Sequence, residues 1–579
     1  MCCLGMFRMK NFNELATRNE LADFLKIERK TLTNVLYYKH VESYYCSFEI
    51  PKKSGEKRII HAPNGLLKVI QKVLCARLYN YWDQVCKDNN ITLNISHAFE
   101  KKKGIISNSV IHKNKRYVIN VDLKDFFDSF HYGRVKGYFM KNKYFQLPLE
   151  VACVIAQLTC YNGKLPQGAP TSPIITNLIC NAMDYKILSL AKHYHLDYTR
   201  YADDMTFSTN DKNIVKNFDR FLLSLKSIIE KSGFEINDKK TRLIYKDSKQ
   251  VVTGLVVNKK VNIDHLYYKK VRAMANNLYR TGQYFIDDKP GSMNQLEGKL
   301  SFINYVEKYN NKIQNEKCNN KTHKDKQKTF YYLNSKEKEF QKFLFYRYFY
   351  ANNSPIIVTE GKTDVLYLKA ALKNLCIEYP DLIEKDVNGK FNFKISFFNR
   401  SKRIRFLFNI SQDGADAMKN LYYFFCDCEN NVYKDYFSYF NKLSNKLPDN
   451  PVILIFDNEI KTGKRPLKKF LDSIHLKEVD FKNGGYKKIL PERNLFLVTH
   501  QLVDGKLECE IEDLFEKTVL EHEINGKRFS RDSEFDTEKY YSKDHFSKYV
   551  YSNYDKIDFS NFRPLLNNVR DAIKDYKGI

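Results

Sequence analysis

Three aspartates carry the first chemical reading of this 579-residue chain. Asp122 closes the run Tyr117-Val118-Ile119-Asn120-Val121-Asp122-Leu123, whose alternation predicts a half-buried strand with Tyr117, Ile119, Val121 and Leu123 on one face and Asp122 on the other. Asp203 and Asp204 form the acidic tip of Leu196 to Ser208, where flanking apolar residues predict a strand-turn-strand hairpin. Adjacent carboxylates repel, and a chain of net charge +28 does not need them for neutralisation. The economical explanation is a divalent cation held between Asp203, Asp204 and Asp122. Two hard cations about 3.5–4 Å apart would activate a 3′-hydroxyl and stabilise a leaving pyrophosphate, which is nucleotidyl transfer.

A second set of acids lies near the C-terminus. Pro355 to Leu372 reads as a buried strand, a Gly turn and an amphipathic helix, with Glu360 at the carboxyl end of the strand, where open α/β sheets keep their ligand crevices. The apolar run Pro451 to Phe456 ends in Asp457-Asn458-Glu459, two acids two residues apart and so on one side of an extended segment. Three carboxylates, Glu360, Asp457 and Glu459, then converge on one sheet edge.

These residues need elements to position them. Leu165 to Pro173 is a Pro/Gly loop opening a helix, with Thr171 or Ser172 as cap, Pro173 at the first position, and Ile175, Leu178, Ile179, Ala182 and Met183 at helical spacing. Such a turn suits a template base and an incoming nucleotide. Phe48 to Ile60 predicts a hairpin turning at Gly55 within a basic helical region. Residues 307–350 hold eleven Lys and Arg against five Asp and Glu and read as a polar connector or basic arm, with a domain boundary near residue 345.

The three acidic and loop motifs, in order, resemble motifs A, B and C of reverse transcriptases: Asp122-Leu123-Lys124-Asp125-Phe126-Phe127, Gln167-Gly168-Ala169-Pro170-Thr171-Ser172-Pro173 and Tyr201-Ala202-Asp203-Asp204. Gly233 to Thr241 is similar to motif D, and Lys57-Arg58 with Leu67-Lys68-Val69-Ile70-Gln71 to the fingers motifs. Val252-Thr253-Gly254-Leu255 resembles the VTG signature of bacterial retron enzymes. Asn108-Ser109-Val110-Ile111-His112 resembles their NAxxH signature, with Ser in place of Ala. The resemblance implies that Asp122, Asp203 and Asp204 hold two Mg²⁺ ions, with the Leu123 carbonyl as an extra ligand. It implies that Phe127 is a steric gate against the 2′-hydroxyl of ribonucleotides, that Arg58 and Lys57 hold the dNTP triphosphate, that Gln167 and Gly168 border the nucleotide, and that Lys240 serves the leaving pyrophosphate.

The C-terminal pattern resembles the TOPRIM fold of topoisomerases, primases and OLD-type nucleases. Its usual DxD stands here as Asp457-Asn458-Glu459, which keeps the charge and lengthens one arm. That resemblance implies Mg²⁺ or Mn²⁺ at Glu360, Asp457 and Glu459, with Asp364 and Glu512 as further ligands and Gly414 as the turn after a middle strand. The implied architecture is multidomain, α/β and α+β: a right-hand polymerase followed by a Rossmann-like TOPRIM domain. Its parts are an N-terminal helical region and fingers (1–90), a fingers/palm core (91–260), a thumb (261–306), a basic connector (307–350) and the TOPRIM domain with a C-terminal extension (351–579).

The implied function is copying a structured non-coding RNA, both template and primer, into branched RNA-linked single-stranded DNA (msDNA). The fused nuclease would cut RNA or DNA as a toxic effector against phage. Tyr267, Tyr268, Lys269, Lys270 and Arg272 fit a thumb face that grips RNA. The alternatives are a non-retron defence or group II intron-like reverse transcriptase, and a TOPRIM fold that only binds nucleic acid. The basic excess fits a polyanion partner. No apolar run of about 18 residues is present, which excludes a transmembrane helix. The N-terminus lacks a signal-peptide pattern, Met9 is an alternative start, and the thirteen cysteines contain no CxxC pair, giving the expectation of a cytoplasmic chain with reduced thiols. A basic chain on a branched RNA–DNA can also self-associate as a homo-oligomer.

Overall fold

The alternation around Asp122 folds into strand β3 (Tyr117–Asp122), and the acidic hairpin into β4 (Asp197–Tyr201) and β5 (Asp204–Thr209). With β6 (Arg242–Tyr245) they form one antiparallel sheet in the order β4-β5-β3-β6. These coordinates are a computed structural model, which describes residues 11–578 apart from 52–54, 56, 93, 320–329, 412–414, 428–432, 462, 464, 478–480, 482 and 533. Met1, Met9 and Gly414, singled out above, lie outside the described residues.

The chain divides into two compact units, Met1–Asp264 and His265–Ile579. In the first, β3 is buried on both faces rather than one. Ile119 and Val121 join the main core, while Val118 is buried with Val252 and Val257. The cause is a short hairpin, Val251–Val252 with Leu255–Val256, which supplies the second apolar cover. The Ser172–His193 helix lies against β4 and against the Asn213–Lys231 helix. Its cap residue is Thr171 and Pro173 sits in the first turn, but the Thr171 side chain makes no cap bond. Instead the Ser172 hydroxyl donates to the Pro166 carbonyl at 2.8 Å, which ties the loop to the helix start. The expected fingers hairpin is present as β1 (Tyr45–Pro51) and β2 (Lys57–Pro63), and Gly55 has φ +88°.

The second unit holds a five-stranded sheet in the order Ser396–Phe397, Ile356–Thr359, Val452–Phe456, Leu495–Thr499, Gly485–Lys488. The first four strands are parallel and the last is antiparallel. All residues of Val452–Phe456 and Leu495–Thr499 are buried, as expected of central parallel strands covered on both faces. The helices His265–Thr281, Met293–Asn319 and Ser335–Phe345 belong to this unit, so the boundary expected near residue 345 falls inside it. The stretch 335–350 is not a solvated arm. Phe340, Phe343, Leu344 and Phe345 are buried, and Tyr346 and Tyr279 each approach the Phe440 ring at 4.9 Å. Each such buried side chain contributes roughly 1.5–3 kcal/mol, which outweighs the polar character of the lysines between them. No helix among the described residues is long and apolar enough to cross a membrane.

Candidate active site

Strand register brings the three aspartates of the first unit together. Asp122 stands opposite Asp204 in the β3–β5 ladder, and Ala202, at φ +56°, makes the tight turn that carries Asp203. The Leu123 amide donates to the Asp203 carbonyl at 3.1 Å, so the hairpin tip is pinned to the end of β3. Asp122 is held from the other side. Asn237 donates its backbone amide to the Asp122 carbonyl at 2.8 Å and its side-chain amide to Oδ2 at 3.2 Å, and Lys240 Nζ lies 2.9 Å from the same Oδ2. Burial raises Asp204 to about 7, with the charges of Asp203 and Asp122 adding to it, although its side chain keeps an open edge. Asp203 is raised by burial and then by Asp122. Lys240 is held charged chiefly by its hydrogen bond to Asp122.

Asp122 and Asp203 border a cavity of about 850 Å³. Lys57 and Arg58 face it from β2, Phe127 from the turn after β3, Gln167 from the Pro/Gly loop, and Asp122, Leu123, Asp203 and Lys240 from the side of the four-stranded sheet. Lys57 is partly engaged by Glu49 at 2.6 Å. The loop is locked to β2 by the His61 amide donating to the Gln167 carbonyl at 2.9 Å. Gly168 makes this approach feasible: it has φ +121°, and a Cβ there would stand 2.7 Å from Ile60 Cγ2 and 2.9 Å from the His61 carbonyl oxygen. Phe127 packs edge-on against Phe126 while keeping a face on the cavity. Asp204 borders a separate cavity of about 500 Å³ with Asp122, Lys240, Arg242 and Lys249.

The second unit also assembles its acids. Glu360, Asp457 and His500 each directly follow one of three adjacent parallel strands. The Gly361 amide donates to Asp364 Oδ2 at 2.7 Å, which holds Asp364 at the helix start beside Glu360. Asp457 Oδ1 accepts from the Ile511 amide at 2.9 Å and lies 3.6 Å from His500 Nε2. Glu459 pairs with Arg465 at 3.0 Å, and Glu512 with Lys543 at 3.2 Å. Burial and then the neighbouring acids push Glu360 up to about 9 and Asp364 to about 6. Burial pushes Glu459 to about 7 and Glu512 to about 8, against the pull of Arg465 and Lys543. Among the described residues no group of three His, Cys, Asp or Glu side chains forms a ready metal cage in either unit. In the first unit the Lys240 ammonium pairs with Asp122 at 2.9 Å. The donor set there, three crowded carboxylates of which Asp203 and Asp204 have raised proton affinity, has the chemistry that a hard divalent ion neutralises.

Residues 50–266 match the family model described as reverse transcriptase (RNA-dependent DNA polymerase). The retron Ec86 reverse transcriptase of Escherichia coli is 36% identical over 307 residues, which cover 52% of this chain and 88% of that protein. This chain belongs to the retron reverse transcriptases. The retron Mx162 reverse transcriptase of Myxococcus xanthus is 30% identical over 334 residues, covering 52% of this chain and 66% of that protein. A solved apo telomerase from Candida tropicalis, truncated from its C-terminal domain, aligns at 16% identity with a TM-score of 0.28, covering 40% of this chain and 56% of that chain. Reverse transcriptases generally use Mg²⁺ at a two-metal site, and RNA-directed DNA polymerase activity follows from membership of the family.

The structure of this reverse transcriptase adds residues that motif reading did not single out. Asp184, in the helix after the Pro/Gly loop, accepts from Arg200 at 2.7 Å and from the Tyr198 hydroxyl at 2.9 Å, all three being buried. Arg200 also donates to the Ala202 carbonyl at 3.1 Å, directly beneath the acidic tip. An acid amid the apolar helix residues Cys180, Met183 and Ile187 was the available signal. Asn237 and His500 were missed as well, and His500 is marked by standing just after a fully apolar strand. The two retron-type signatures meet in space: Ser109 Oγ donates to the Val252 carbonyl at 2.9 Å and lies 3.2 Å from Thr253 Oγ1. His112 is buried between Ser208 and Thr199, at 2.8 and 2.7 Å.

Proposed function

We propose that this chain copies a structured non-coding RNA into single-stranded DNA joined to that RNA, with Asp122, Asp203 and Asp204 as the metal carboxylates. The observation that carries the reading is the juxtaposition of Asp122 and Asp204 across β3–β5, with Asp122 and Asp203 on the wall of a cavity that also meets Arg58. Mg²⁺ bound there, with the Leu123 carbonyl as a further ligand, supplies charge neutralisation and an activated 3′-hydroxyl. Arg58 and Lys57 hold the triphosphate through phosphate-matched donors. The Gln167-Gly168 loop brings Gln167 to the nucleotide, and the missing Cβ of Gly168 lets the loop lie directly on Ile60 and His61 of β2. Phe127 closes the space beneath the sugar, which selects dNTPs. Lys240, on Asp122 at 2.9 Å, would hold a proton near the departing pyrophosphate.

The second unit is read as a TOPRIM-type nuclease, using Mg²⁺ or Mn²⁺ at Glu360, Asp457 and Glu459, with Asp364 and Glu512 supporting, and acting as the toxic effector of an anti-phage system. Its support is the convergence of acids at adjacent parallel strand ends. A second reading, nucleic-acid binding without cleavage, draws on Arg465 and Lys543, which already neutralise Glu459 and Glu512. The test is to purify the protein expressed with its flanking DNA and to sequence the accompanying nucleic acid before and after RNase and debranching treatment. Short single-stranded DNA linked to RNA is the expected result. Unlinked cellular RNA, or no DNA, would overturn the retron product.

A further inference from the structure

The Met293–Asn319 helix carries Asn304, Lys308, Asn311 and Asn315 at steps of four, three and four residues, which places them on one face. Opposite that face stands the Lys402–Phe408 helix, fixed by Arg403, whose guanidinium donates to Ser301 Oγ at 2.6 Å. Between the two lies a groove of about 1020 Å³. The whole groove belongs to the second unit, and all its residues lie beyond the 50–266 stretch that matches the reverse transcriptase family model.

We propose that this groove binds a single-stranded polynucleotide. Lys308 and Lys402 both line it, while the two carboxylates of the groove are engaged by other groups, Glu316 by Lys312 at 3.6 Å and Glu337 by the Asn311 amide. Two like charges brought to one groove repel each other, and a chain of phosphates relieves that repulsion. Tyr305 and Phe406 line the same groove and keep 51% and 36% of their surface exposed. An exposed ring is a good platform for an unpaired base, since stacking is worth about 1–3 kcal/mol per base. Asn304 adds an amide, a donor and acceptor suited to base edges. Asn311 is held in place by Glu337, which accepts from its side-chain amide at 2.6 Å. Cations, rings and amides on one narrow groove match phosphates, base faces and base edges of one strand. A duplex would offer no free base faces to the rings.

The proposal does not rest on the polymerase assignment, and its test separates the two. Full-length protein is irradiated with short single-stranded oligonucleotides carrying 4-thiouracil (RNA) or 4-thiothymine (DNA), and the adducts are mapped by mass spectrometry. Adducts at Tyr305 or Phe406 are expected. Labelling by the RNA probe alone assigns an RNA strand, labelling by the DNA probe alone a DNA strand, and labelling by both a groove indifferent to the sugar. In parallel, Lys308→Gln with Lys402→Gln should make the slope of log K against log salt shallower by about 1.4, since each phosphate contact on a single strand contributes about 0.7. Both lysines are exposed, so the variant retains the fold. An unlabelled groove, or an unchanged salt slope, overturns the proposal. If that occurs in a preparation that extends primers, the polymerase reading stands.

Discussion

Replacing Asp184 by Asn should destabilise the first unit severely and disturb the acidic hairpin at the same time. Asp184 and Arg200 are 2% and 0% exposed, and the guanidinium donates five hydrogen bonds, three to the Asp184 carboxylate and one each to Asn177 Oδ1 and the Ala202 carbonyl. Asn keeps the size of the side chain and an acceptor for the Tyr198 hydroxyl, but it leaves the Arg200 charge buried without its counter-ion. Breaking one partner of a buried pair costs about 3–5 kcal/mol. For a unit of this size that corresponds to a fall in melting temperature of roughly 6–20 °C, at about 2–4 °C per kcal/mol. Because Arg200 also anchors the Ala202 carbonyl, primer extension should fall with stability. The double change Asp184→Leu with Arg200→Met removes both charges and should cost much less than Asp184→Asn. Thermal unfolding followed by circular dichroism, alongside an extension assay, reads both effects. A shift for Asp184→Asn of under about 2 °C, below the scale set by one kcal/mol, with full activity would refute the argument that this pair supports the site.

Three further outcomes follow from the geometry. Gly168→Ala should lose about 1–3 kcal/mol or displace the loop from β2, because φ +121° and the 2.7 Å approach to Ile60 both oppose a Cβ; wild-type melting and wild-type KM for dNTP would contradict it. Phe127→Ala should raise ribonucleotide incorporation by about tenfold, the effect of removing a clash worth about 1.4 kcal/mol, and unchanged discrimination would remove the gate role. In metal-free buffer the second unit should melt at lower temperature at pH 9 than at pH 6. Glu360 is raised in the fold to about 9, so its stabilising protonated state is fully present below its unfolded value and is lost as pH rises through 9. Glu360→Gln should flatten that dependence, and a pH profile identical to the parent would refute the crowding of acids there.

The clustering of the candidate site in the first unit was legible in the sequence because its elements are local. Asp122 terminates a strand, Asp203 and Asp204 share a turn, and Gly168 sits in a loop whose Pro and Gly content announces a fixed backbone. What could not be read was pairing across the chain: Asn237 and Lys240 reach Asp122 from more than a hundred residues away, and Asp184 meets Arg200 only once the helix lies on β4. The double burial of β3 was hidden for the same reason, since its second cover comes from Val252 and Val257. In the second unit the strand ends bearing Glu360 and Asp457 were evident from apolar runs. The burial of Phe340, Phe343 and Phe345 was obscured by lysines spaced among them, which turned a packed helix into an apparent arm. Gly414 falls outside the described residues.

The most direct measurement is RNA-templated primer extension by the wild-type protein, Asp203→Asn and Asp204→Asn, all purified to equal foldedness. The account predicts a loss of about a hundredfold or more in each variant, the scale on which removing one fixed electrostatic contact at a reacting centre is felt. Extension at the wild-type rate by both variants would contradict the assignment of these carboxylates to the chemistry.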